Sequence, residues 1–95
     1  MKILVVEDDV FLGDVLRRGL AESGHVVDVE RDGAAGERAA LAGSYDALLL
    51  DVMLPRKDGF AVARALRDAG VTTPILMLTA RDTVADTVAG LDAGE

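Results

Sequence analysis

The sequence predicts an α/β domain built on a parallel β-sheet. Three observations carry this expectation. Short apolar runs recur along the chain, helical periodicity fills the gaps between them, and a glycine closes each helical stretch. Strand and helix alternating at this spacing argue for right-handed βαβ crossovers around a parallel sheet.

The first strand is read at Ile3-Leu4-Val5-Val6. Its continuous apolar character suits a parallel strand covered on both faces. Leu12, Leu16 and Leu20, with Phe11 and Val15 beside them, mark a helix over 10–22 that Gly24 stops. Val26-Val27-Asp28-Val29 partly alternates and is read as an edge strand. Ala35, Ala39 and Ala42 indicate a weaker second helix ending at Gly43. The third and fourth strands, Ala47–Leu50 and Ile75–Leu78, are again continuous apolar runs. Between them Val62, Ala63, Leu66 and Ala69 mark a third helix that ends at Gly70. Val84, Val88 and Leu91 mark a fourth that ends at Gly94, with Asp82 or Thr83 as its cap.

Ninety-five residues, half of them apolar and 28% charged, suffice for one packed domain. Absence of cysteine excludes a disulfide scaffold, a thiolate zinc site and a cysteine nucleophile. A net charge of −7 and only three aromatic residues leave this segment no footprint for nucleic acid or anionic lipid. No apolar run approaches a membrane span, and the expected compartment is the cytoplasm.

The chemistry-bearing residues stand at strand ends. Glu7, Asp8 and Asp9 follow the first strand, Asp51 follows the third, and Thr79 follows the fourth. In an open parallel sheet these ends share one edge, where ligands bind. Carboxylates brought together there repel unless a cation intervenes, and hard oxygen ligands suit Mg²⁺. The cation would neutralise the cluster and hold a phosphoryl oxygen against Asp51, whose carboxylate can act as nucleophile. Thr79 would donate a hydrogen bond to the same group.

Plainer readings exist for each. Glu7, Asp8 or Asp9 can cap the first helix, Asp51 can sit in a turn ahead of Pro55, and Thr79 can cap the fourth helix. One cap explains one acid and not three. His25, the sole histidine, is read as a turn residue, and Arg56-Lys57-Asp58 as an exposed loop and turn.

Four stretches together resemble the receiver domain of bacterial two-component response regulators: Lys2–Asp9, Ala47–Pro55 with Asp58-Gly59, Pro74–Arg81, and Gly90–Gly94. The resemblance spans the chain, so residues 1–95 are expected to form one receiver domain. It implies a flavodoxin-like sheet in the order 2-1-3-4, with the family's fifth strand and fifth helix absent. It implies that Asp51 is the phosphoacceptor. It implies that Glu7, Asp8, Asp51 and the Met53 backbone carbonyl hold Mg²⁺, that Thr79 is the switch hydroxyl, and that Ala80 is the small residue beside it. The phosphoryl donor would be a histidine kinase or a small phosphodonor. The wording Leu78-Thr-Ala-Arg81 and Gly90–Gly94 resembles the OmpR/PhoB type, whose members bind DNA through a winged-helix domain not contained in this chain.

The departures are as specific. The family's fifth-strand lysine has no counterpart, since Lys2 and Lys57 are the only lysines and neither matches its motif. The domain is therefore expected to be C-terminally incomplete, and self-association is expected through the uncovered fourth strand and fourth helix. Two rival functions remain open from residues alone. A Mg²⁺-dependent phosphohydrolase with an Asp nucleophile would need a second Asp where Met53 stands, and a receiver-like module that only binds protein would not need the retained acids.

Overall fold

The computed structural model describes residues 1–78. They form β1 (Lys2–Val6), α1 (Val10–Glu22), β2 (Val26–Glu30), α2 (Gly33–Ala42), β3 (Ala47–Asp51), α3 (Gly59–Asp68) and β4 (Ile75–Leu78). The four strands make one parallel sheet in the order β2-β1-β3-β4, the flavodoxin-like arrangement that the resemblance implies. The expected fourth helix, with Thr79, Ala80 and the caps Asp82 or Thr83, lies outside the described residues.

Central strands carry the core. Ile3, Leu4, Val5, Val6 and Leu50 are fully buried, and Ala47, Leu48 and Leu49 nearly so. Side chains alternate between the two sheet faces. Leu4, Val6, Leu48 and Leu50 pack with Ala40 of α2 and with Val62 and Leu66 of α3. Ile3, Val5, Ala47 and Leu49 pack on the other face with Leu16 of α1 and with Leu78. Continuous apolar runs are thus the mark of strands clad twice. β2 has no buried residue and forms an outer edge, in keeping with its alternating sequence.

Each described helix starts on an aspartate. Asp9, Asp32 and Asp58 accept hydrogen bonds from the backbone N–H groups of Leu12, Ala35 and Ala61 at 3.0, 2.8 and 2.9 Å. This satisfies donors that the first helical turn leaves without partners. It also corrects the reading of 56–58 as a plain exposed loop: Asp58 is the cap of α3, and Lys57 is ion-paired to Glu37 of α2.

Candidate metal and phosphoryl site

β1 and β3 are neighbours in the sheet, with Val6 in register with Leu50. Their carboxyl ends therefore deliver Glu7-Asp8 and Asp51 to one spot. Carboxylate oxygens of Glu7, Asp8 and Asp51 lie within 4.8 Å of one another. Burial divides them. Glu7 is 3% exposed, the only buried charged residue among the described ones, while Asp51 is half-buried and Asp8 exposed.

Backbone pairing explains the difference. The Glu7 N–H donates to the Glu30 carbonyl at 3.0 Å, extending the β1–β2 ladder past Val6. Its side chain is thereby carried inward, and Oε2 accepts from the Asp9 N–H at 3.0 Å. Asp9 does not join the cluster, since its carboxylate caps α1. The cap reading of the three acids is correct for Asp9, and the cluster reading describes Glu7 and Asp8. Burial pushes the Glu7 carboxyl up to about 7, and the neighbouring Asp51 and Asp8 add to the rise. The Asp9 N–H opposes it.

Asp51 ends β3, and its Oδ1 accepts from the Met53 N–H at 3.1 Å. That bond holds Met53 in a tight turn beside the carboxylate, with the Met53 side chain exposed. Gly59 closes the turn: its N–H donates to the Val52 carbonyl at 2.9 Å. A Cβ at Gly59 would stand 2.2 Å from the Asp51 carbonyl oxygen, so the approach of α3 to the strand end requires glycine. An open cleft of about 540 Å³ lies alongside, lined in part by Asp8, Met53, Pro55 and Asp58.

The donor set fits a hard divalent cation: three carboxylates converge, and among the described residues no ion pair joins them to a Lys or Arg. Lys57 is held by Glu37, and the Lys2 ammonium sits 4.8 Å from the Tyr45 ring centroid. His25 Nδ1 lies 2.9 Å from the terminal amine of Met1, consistent with a turn residue. The Lys57–Glu37 and Arg56–Asp32 pairs had no signal in a single sequence, because each joins residues 20 or more positions apart. The caps Asp32 and Asp58 did have one, since each precedes a glycine at the start of a helical stretch.

Comparison with known proteins agrees with this geometry. The pattern described as "Response regulator receiver domain" matches residues 3–95. The response regulator PmrA of Pseudomonas aeruginosa is 51% identical over 94 residues, covering 99% of this chain and 42% of that protein. The transcriptional regulatory protein TcrA of Mycobacterium tuberculosis is 52% identical over 94 residues, covering 99% of this chain and 37% of that protein. This chain thus spans about two fifths of the length of these relatives. Among solved structures, the receiver domain of a sensor histidine kinase from Pseudomonas aeruginosa PAO1 superposes with a TM-score of 0.80 at 36% identity, covering 98% of this chain and 78% of that one. It carries a magnesium ion coordinated in its active-site cleft. With sheet order, acidic strand ends and sequence in agreement along nearly the whole length, the chain belongs to the response regulator receiver domain family.

Proposed function

We propose that residues 1–95 form a phosphoacceptor signalling domain in which Asp51 takes a phosphoryl group from a histidine kinase. The observation that carries this is the convergence of the Glu7, Asp8 and Asp51 carboxylates within 4.8 Å at the ends of β1 and β3. Glu7, Asp8, Asp51 and the Met53 carbonyl would hold Mg²⁺. Bound there, Mg²⁺ supplies charge neutralisation and polarises a phosphoryl oxygen.

The residues of this chain do the rest. The Met53 N–H fixes one oxygen of Asp51. An Asp51 carboxylate oxygen attacks phosphorus, the phosphorus–nitrogen bond of the donor phosphohistidine breaks, and the imidazole leaves with its electron pair. Thr79 and Ala80 are the proposed phosphoryl-contact and switch positions. The output is a signal and not turnover of a metabolite. Regulation of transcription, through a DNA-binding domain elsewhere in the intact protein, is the output we propose, and the cytoplasm the place. Among the described residues no helix is long and apolar enough to cross a membrane.

The phosphohydrolase alternative is disfavoured by Met53, which puts an exposed thioether where a second carboxylate would act as general acid. The test is labelling of the full-length protein with a small phosphodonor and Mg²⁺. One acid-stable, base-labile phosphoryl group is expected, and neither EDTA added before the phosphodonor nor Asp51→Asn should allow it to form. Persistent labelling of the Asn variant would place the acceptor elsewhere.

A further inference from the structure

We propose that Lys57 and Glu37 are positioning residues: their ion pair clamps the β3–α3 loop to α2 and so sets the Met53 carbonyl for metal binding beside Asp51. The inference rests on the phosphoacceptor reading above. The loop runs from Val52 to Asp58, and Leu54 alone in it is buried. Its two ends are tied to the sheet. The Val52 N–H donates to the Leu78 carbonyl at 2.8 Å, and Gly59 closes back on Val52. Its outer part, Pro55 to Lys57, has no apolar anchor and is held by α2 instead.

Four contacts make that hold. The Gly33 N–H donates to the Pro55 carbonyl at 3.3 Å. A Cβ at Gly33 would stand 1.7 Å from the Lys57 carbonyl oxygen, so the two backbones touch. Lys57 Nζ pairs with Glu37 Oε1, both side chains about two-thirds or more buried, and Arg56 Nε lies 3.6 Å from Asp32 Oδ2.

The clamp opposes a local strain. Arg56 sits at φ 71°, in the left-handed region that a non-glycine residue occupies at a cost. Surrounding contacts must hold it there. With the Lys57–Glu37 pair removed, Arg56 can relax, and its displacement passes along three residues to Met53. A divalent cation that demands near-octahedral oxygen ligands at roughly 2.0–2.1 Å tolerates little movement of a carbonyl. The pair holds the Lys57 ammonium on Glu37 of α2.

The experiment uses the full chain, Mg²⁺ alone as probe, and amide chemical shifts as readout. Lys57→Met and Glu37→Gln should each shift the Met53 and Asp51 amides before any metal is added. Each should weaken Mg²⁺ binding by roughly five- to tenfold. The exchanged pair, Lys57→Glu with Glu37→Lys, should bring affinity back to within about twofold of wild type, which a loss of general stability would not do. Glu37→Gln keeps the volume and an acceptor oxygen, so it decides the matter if Lys57→Met unfolds. Wild-type affinity in Glu37→Gln, or failure of the exchanged pair to recover, overturns the clamp. A wild-type chain whose Asp8 and Asp51 resonances ignore Mg²⁺ overturns the site reading itself, and the clamp with it.

Discussion

Replacing Glu7 with Gln should stabilise the metal-free domain at pH 8 and change it little at pH 5. Glu7 is 3% exposed, and its carboxyl titrates at about 7 in the folded chain because burial and the adjacent Asp51 penalise its charge. In the unfolded chain it titrates at the ordinary 4.5. Between these values the folded state binds the proton and the unfolded state does not. The stabilising contribution of that proton is full below pH 4.5 and is lost as pH rises through 7. At about 1.36 kcal/mol per pH unit, the loss is capped at about 3 kcal/mol by pH 8 and is under ~1 kcal/mol at pH 5. Gln has the same shape, keeps the oxygen that accepts from the Asp9 N–H, and carries no charge to lose. Urea unfolding followed by far-UV circular dichroism in EDTA measures the difference between the two proteins at each pH. Mg²⁺ added at pH 8 should then raise wild-type stability by mass action and raise the Gln variant less. A difference between the proteins that is equal at both pH values, or a Gln variant weaker at pH 8, would refute the reasoning.

Three further outcomes are expected. Leu66→Ala, at a fully buried position between α3 and the sheet, should cost about 2–5 kcal/mol in the same unfolding assay, and a cost below ~1 kcal/mol would contradict the packing described. Gly33→Ala puts a methyl 1.7 Å from the Lys57 carbonyl oxygen, so the β3–α3 loop must move; Mg²⁺ titration should show weaker binding, and unchanged Met53 and Asp51 amide shifts would contradict the contact. β4 has β3 on one side and no strand on the other among the described residues, with Ile75, Leu76 and Met77 only half-buried. Such an edge favours strand pairing between copies, so light scattering on the 95-residue chain should report a dimer or larger assembly, whereas a monodisperse monomer would refute it.

The sheet was legible because parallel strands clad on both faces cannot alternate. Ile3–Val6 and Ala47–Leu50 read as continuous apolar runs for that reason, and Val26–Glu30, none of it buried, does not; Ile75–Leu78 is equally continuous although only Leu78 of it is buried. Helix limits were legible where a glycine stops the chain, as at Gly24 and Gly43. They were less so at helix starts: Asp32 and Asp58 each cap a first turn that opens on glycine, and that of α2 offers only alanine and glycine to read. Contacts between distant segments, such as Lys57 with Glu37, depend on which helices meet across a sheet face and have no local signature.

The acidic cluster shows the same boundary within a single tripeptide. Three consecutive acids after β1 announce a site, but the sequence treats them alike. One backbone hydrogen bond, from Glu7 to the Glu30 carbonyl, decides that the pleat runs one residue further and carries Glu7 inside. Asp8 follows on the exposed side, its carboxylate still within 4.8 Å of those of Glu7 and Asp51, and Asp9, itself extended, caps α1. Three neighbouring carboxyls thus have three different tasks. One is a buried group whose charge is costly, one is an exposed carboxylate lining the cleft, and one is a helix cap. Strand register, and not residue type, allots them.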